Sequence, residues 1–352
     1  MSVIAERIDV APAATLDRRA YPSLRSMIER AGMGVVLLNG SRDPNAKMSL
    51  ILFDAYGPAF VAKIPTTPDA ETAVRSEAYA LEALAGMSLG PLSTTLPRPV
   101  GCLSHLGATA LLSTALPGTS MAVGYHGWHH TARRRHVERD FAVAAAWLGD
   151  LQARSAAERA PVSLLADAVP ALGRRFLGRP GLIAAIRTVE AAHRRLSGCV
   201  TPRTVVHGDF WFGNLLVDGG RVSGVVDWES CALRGEPLRD VARFVVSYAL
   251  YLDRHTKAGR RVRGHGGLRA GEWGAGIEHL FAGDNWFSEV AQNFLTLQLG
   301  RLGVPPDRWR DVVIGGLAEV ALSADDPEFA AHHLHLLARM GAARDPAERE
   351  DS

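Results

Sequence analysis

The sequence predicts an α+β fold in two lobes: a small N-terminal antiparallel-sheet lobe with one key helix, then a larger, mainly helical C-terminal lobe. Two observations carry this. Short apolar runs separated by turn residues crowd the first third of the chain, whereas long helical periodicity dominates the rest. Pro117-Gly118 punctuates the change, so the lobes are expected over residues 1–118 and 119–352.

In order, a helix is expected over Thr15–Ala31, with Tyr21, Leu24, Met27 and Ile28 on one side. Val35–Leu38 and Met48–Phe53 read as paired strands joined by the polar loop Asn39–Lys47, and Tyr56-Gly57-Pro58 turns the chain into a third strand, Ala59–Ile64. A strong helical pattern over Ala70–Met87 and two strands near Arg98–Leu103 and Ala108–Ala115 complete the first lobe. Helices follow over Val137–Arg154 and Leu182–Leu196. A short hairpin turning at Asp218-Gly219-Gly220 interrupts them, and Leu238–Leu252, Asn285–Leu302, Asp307–Ser323 and Glu328–Met340 are helical again.

With 352 residues, 47% apolar and 22% charged, the chain has the composition of an ordinary globular protein with a large core. No apolar run is long enough to span a bilayer, and no apolar signal core opens the chain, so no membrane role is expected and the cytoplasm is the expected compartment. Three scattered cysteines, Cys102, Cys199 and Cys231, suit neither a disulfide framework nor a zinc site. The formal charge of +2 does not point to a nucleic-acid partner, and none is expected. Only three of the 39 basic residues are lysines, Lys47, Lys63 and Lys257. A lysine kept in such an arginine-rich chain suggests a need for a compact point charge.

The chemistry lies in His207-Gly208-Asp209-Phe210-Trp211-Phe212-Gly213-Asn214, followed by Val225-Val226-Asp227-Trp228-Glu229. A carboxylate, an amide five residues on and a second carboxylate after a hairpin are, in that order, the base and metal ligands of kinase-type phosphoryl transfer. Asp209 is the expected base, accepting the proton of an attacking hydroxyl. Asn214 and Asp227 are the expected Mg²⁺ ligands, because Mg²⁺ prefers hard oxygen donors. His207 is expected to order the loop through hydrogen bonds. Each residue alone would suit an ordinary turn beside a hairpin; the ordered set does not.

Val61-Ala62-Lys63-Ile64 resembles the strand-borne V-A-I-K lysine motif. Lys63 is expected on the α/β-phosphates, with Glu77 on the next helix as its partner and Glu82 as the competing carboxylate. Neither G-x-G-x-x-G nor a Walker A sequence occurs; the loop with Gly40 and Ser41 is the candidate for covering the phosphates, with an ordinary hairpin loop as the alternative. The connector with Ser113, Thr114 and Ala115 is expected to contact the nucleotide.

These residues resemble the aminoglycoside phosphotransferase and choline kinase superfamily, whose hallmark is H-G-D-x-x-x-x-N followed by a D-W-E or D-F-E segment. Gly235-Glu236-Pro237-Leu238-Arg239-Asp240 is similar to that family's G-x-P-x-x-D segment, and the likeness runs from about Val35 to Phe244. It implies a bilobal protein-kinase-like fold, ATP or GTP with Mg²⁺, and transfer of the γ-phosphoryl group to a hydroxyl of a small molecule. By the same matching Asp209 is the base, Asn214 and Asp227 bind metal, Lys63 and Glu77 bind phosphate, and Asp240 is structural. Independently of the resemblance, only a few residues separate Asp227 from Gly235-Glu236-Pro237, which leaves little room for the segment on which kinases dock peptides and favours a small acceptor.

The acceptor is less constrained. Arg254 to Arg269 carries no acidic residue, and Arg133-Arg134-Arg135-His136 is a second basic cluster. A site for polycationic aminoglycosides would offer carboxylates instead. These segments are either a solvated, Gly-rich surface loop of an arginine-biased chain or part of the acceptor site; in the second case the expected acceptor is neutral or anionic: a sugar-containing natural product or antibiotic, or a nucleoside-like compound. A metabolic kinase of choline, homoserine or hexose type and a non-catalytic nucleotide-binding module are the alternatives. His126, His129 and His130 lack the carboxylate or cysteine partners of a metal site, and Trp273, Trp286 and Phe287 are expected to pack in the core, with stacking on a sugar face as the alternative.

Overall fold

The computed structural model describes residues 23–38, 46–105 and 108–342. The chain divides into two compact units, residues 1–85 with 97–116 and residues 86–96 with 117–352.

In the first unit, helix α1 (Leu24–Ala31) precedes strands β1 (Gly34–Leu38), β2 (Lys47–Asp54) and β3 (Gly57–Pro65). Helix α2 (Pro68–Ala85) and strands β4 (Pro99–His105) and β5 (Ala108–Thr114) follow. The five strands form one sheet in the order β1-β2-β3-β5-β4, antiparallel at each junction. The helix expected from Thr15 begins at Leu24 in the described residues. Ser23 is extended there and its hydroxyl accepts the Ser26 N–H, so it caps the helix instead of continuing it. Leu24 and Met27 pack with Leu52, Ala62, Ile64, Ala110 and Leu112 in one core. Because strand side chains alternate, Ala62 and Ile64 fill that core while Lys63 between them faces the other side of the sheet. Asp69 and Glu71 lie in the first turn of α2, where carboxylates suit the helix dipole, and Ala70, Val74, Glu77, Ala78 and Leu81 form its buried stripe.

The second unit adds strand β6 (Thr119–Ser120), helices α3 (Met121–Tyr125) and α4 (Arg134–Ser155), strand β7 (Arg159–Pro161), and helices α5 (Ala168–Arg175) and α6 (Leu182–Leu196). Strands β8 (Val200–Pro202), β9 (Thr204–Val206), β10 (Leu215–Asp218), β11 (Arg221–Val225) and β12 (Ala232–Gly235) surround the catalytic-motif residues. Helices α7 (Leu238–Leu250), α8 (Ala275–Ala282), α9 (Trp286–Leu302), α10 (Trp309–Ser323) and α11 (Pro327–Ala342) complete it. The expected hairpin is β10–β11, joined on its outer side by β6. Three short helices, α3, α5 and α8, were not foreseen, and Pro306–Arg308 forms a 3₁₀ turn ahead of α10. None of the helices among the described residues is long and apolar enough to cross a membrane.

Candidate active site

The loop from His207 to Asn214 is pinned by burying every second aromatic. Phe210 and Phe212 are fully buried, whereas Asp209 before them and Trp211 between them stay partly open. Trp147 stacks on Phe210 at 5.5 Å, and Tyr125 stacks on Phe212 at 4.2 Å. Gly208 sits at φ +83°, and a Cβ there would meet the Ser230 carbonyl oxygen at 2.2 Å, so the middle position of His-Gly-Asp accepts glycine alone.

Asp240 anchors this loop from the first turn of α7. Its carboxylate accepts the N–H groups of His207 (2.7 Å) and Gly208 (2.9 Å). Burial pushes the Asp240 pKa up, opposed by His207 and these two backbone donors. His207 is buried; its Nε2 donates to the Val226 carbonyl (2.8 Å) and its Nδ1 accepts the Asp209 N–H (3.2 Å). With one nitrogen facing a carbonyl and the other a backbone N–H, the ring braces the two halves of the motif.

Asp209 is held at both oxygens. Oδ1 accepts from Arg243 Nε (2.8 Å) and from its terminal nitrogen (2.7 Å), and Oδ2 accepts from the Asn214 amide (3.1 Å). The same Asn214 amide nitrogen donates to the Asp209 carbonyl (3.0 Å). The Val226 N–H donates to the Asn214 carbonyl (3.0 Å), which ties the loop to the segment carrying Asp227. Asp227 has φ +64°, a left-handed backbone that few side chains accept and that aspartate tolerates. The structure thus brings Asp209, Asn214 and the Val226–Asp227 segment together.

In the N-terminal unit, Lys63 Nζ lies 2.5 and 2.6 Å from the two Glu77 carboxylate oxygens, and both residues are buried. The strand lysine and helix glutamate therefore pair. Ser113 is buried in β5 opposite Val61, and the Ala115 N–H donates to the Ala59 carbonyl (3.0 Å). Gly40 and Ser41 lie outside the described residues.

Arg243 is the residue that sequence reasoning missed. Its signal was slight: a basic residue three after Asp240, on the same face of an otherwise apolar helix. The three histidines of the 126–130 segment go separate ways: His126 to His255 (2.7 Å), His129 to Arg263 (2.8 Å) and His130 to Asp140 (2.7 Å). Trp273 stacks on His332, and Trp286 stacks on His265 and donates to the Gly264 carbonyl.

A sequence profile of the phosphotransferase enzyme family (APH) matches residues 49–274. The chain belongs to this family. As a member it is a small-molecule O-phosphotransferase. Comparison with curated protein sequences finds no significant match. Among solved structures, the phosphotransferase is similar to a thermostable mutant of aminoglycoside phosphotransferase APH(4)-Ia. The TM-score is 0.54 at 14% identity, covering 90% of this chain and 98% of that one. Macrolide 2'-phosphotransferase MphH from Brachybacterium faecium is similar with a TM-score of 0.50 at 18% identity, covering 91% and 97%. At these identities the likeness establishes the fold, which is the aminoglycoside-phosphotransferase, protein-kinase-like one expected from the motifs.

Proposed function

We propose that this phosphotransferase moves the γ-phosphoryl group of ATP to a hydroxyl of a small, sugar-containing natural product, antibiotic or nucleoside-like compound in the cytoplasm. The observation that carries the reading is Asp209. It is a half-open carboxylate steered by Arg243 and Asn214, at the motif position of the base. Asp209 accepts the acceptor proton as the hydroxyl attacks phosphorus; Arg243 and Asn214 fix which carboxylate oxygen faces the substrate.

Asn214 and Asp227 fit Mg²⁺. Both offer hard oxygen ligands, and engaging the Asn214 amide nitrogen with Asp209 leaves its carbonyl oxygen as the ligand end. A metal held by these two residues would supply neutralisation of charge on the transferred phosphoryl group. Lys63, oriented by Glu77, holds the α/β-phosphates, and the segments with Gly40-Ser41 and Ser113–Ala115 complete nucleotide binding in the lobe of residues 1–118. The lobe of residues 119–352 carries the catalytic loop and binds the acceptor. The APH(4)-Ia neighbours were solved with ADP or AMP-PNP together with hygromycin B, which supports a nucleotide and a small acceptor here.

Incubating the full chain with Mg-ATP and a panel of hydroxylated natural products, with mass detection of acceptors that gain one phosphoryl group, tests this reading. A labelled acceptor dependent on Mg²⁺ supports it; nucleotide binding with no phosphorylated acceptor across the panel counts against it.

A further inference from the structure

The partly open Trp211, two residues beyond Asp209, begins a surface of unusual chemistry. Its ring lies 5.0 Å from Phe212 and 6.4 Å from Tyr251. Arg254 rides over the Tyr251 ring at 5.1 Å. The next residue, His255, bonds His126 at 2.7 Å, and His126 stands edge-on to Tyr125 at 5.1 Å, the ring stacked on Phe212. The arc therefore starts at the catalytic loop and returns to it through two paths, one aromatic and cationic, the other through paired imidazoles.

This arc is built, not a loose basic tail. The chain from Asp253 to Gly271 closes on itself: the Gly271 N–H donates to Asp253 (3.2 Å), Gly259 N–H to Ala270 (2.7 Å) and Val262 N–H to Leu268 (2.9 Å). Val262, His265 and Leu268 are buried, and His265 Nε2 bonds the Thr131 carbonyl at 2.9 Å. Between Arg254 and Ala270 no acidic residue occurs, and Asp253, the nearest carboxylate along the chain, is engaged in closing the loop. Where a polycationic acceptor would need carboxylates, the surface offers a guanidinium and a hydrogen-bonded imidazole pair that keeps one N–H to donate to an oxyanion.

We propose that this surface is the acceptor subsite and that it takes a sugar-like molecule bearing an acidic group, carboxylate or phosphate. The ring lies against Trp211 and Tyr251, and the acidic group is held by Arg254 and the His126–His255 pair. This rests on the phosphoryl-transfer reading above for what the bound molecule is used for, but the binding itself is measured without turnover.

The test uses the full chain with Mg-AMP-PNP and four probes of matched ring: methyl glucoside, glucuronate, glucose 6-phosphate and glucosamine, titrated by calorimetry or by the imidazole NMR signals. Glucuronate or glucose 6-phosphate should bind about tenfold or more tighter than methyl glucoside, with glucosamine weakest. Whichever of the two anions binds tighter names the acidic group. Arg254→Gln with His255→Gln should reduce the preference to about threefold or less, whereas Arg254→Lys should keep most of it; melting curves check that these exposed changes leave the fold intact. Glucosamine binding as tightly as the anions, no probe binding at all, or an unchanged preference in the double variant would each overturn the proposal. A retained preference with no phosphoryl transfer to any acceptor would instead sink the catalytic reading alone.

Discussion

Asp209 gains its direction from Arg243 and Asn214, so in the proposed mechanism its action as base depends on two neighbours that do not react. Replacing Arg243 by Gln removes a two-pronged charged contact while leaving Asp209 in place. We expect kcat to fall by about tenfold or more, with the nucleotide KM little changed, because misorientation of a base is felt in the chemical step. Steady-state kinetics on a phosphorylated acceptor measures this; an equal loss in nucleotide KM would place Arg243 in nucleotide binding instead. At this scale the spacing along the chain anticipated which residues lie together, since Asn214 bonds Asp209 and the Val226 N–H next to Asp227 donates to Asn214. The sequence was silent on Arg243, because that contact arises only when α7 turns back on the loop 34 residues earlier.

Two elements, the catalytic loop and α7, are joined by one carboxylate. Asp240→Asn would set an amide N–H₂ against one of two backbone N–H donors that now both point at oxygens. The expected loss is about 2–4 kcal/mol in urea unfolding, since a buried donor is left unpaired; a loss below 1 kcal/mol (about the value of one ordinary hydrogen bond) would show that the loop does not depend on this anchor. The strand-to-helix pair Lys63–Glu77 behaves differently. Removing one buried partner, as in Lys63→Met, should cost roughly 3–5 kcal/mol, but Lys63→Met with Glu77→Gln should cost less than the two single losses added. A double-mutant cycle reads this directly, and strict additivity would mean the two charges do not interact. The long elements were legible because their apolar stripes repeat over several turns. The helices α3, α5 and α8 were not, each having eight residues or fewer and so too few repeats to show a period. Within the helix expected over Thr15–Ala31, Ser23 is a cap because its hydroxyl satisfies a backbone donor, and residues 15–22 lie outside the described residues.

Across the second unit, burial has created an acid-sensitive pair. His265 and His333 are both pushed down to about 4, chiefly by burial. Each stays neutral in the fold while the unfolded chain takes up protons below its ordinary value of 6.5. The unfolded state therefore binds more protons between those limits, and stability, complete above pH 6.5, declines as pH falls toward 4. The loss approaches roughly 3 kcal/mol per histidine as an upper bound. Melting temperature against pH should fall steeply below neutrality, and His265→Asn should flatten that slope even if it lowers stability at neutral pH; an unchanged slope would remove His265 from the account.

The division into a sheet-rich and a helical part was readable from the change in periodicity near Pro117. The placement of residues 86–96 with the second unit was not, because it depends on contacts distant in sequence, such as Trp147 Nε1 donating to Thr95 (2.9 Å).

The central claim is that Asp209 accepts the proton of a small-molecule hydroxyl during phosphoryl transfer. Acceptor-dependent ADP formation by the wild-type chain and by Asp209→Asn, with Mg-nucleotide affinity measured on both, tests it most directly. The account predicts a loss of about 10²-fold or more in acceptor-dependent turnover at nearly unchanged nucleotide affinity. Turnover that survives the substitution would contradict it.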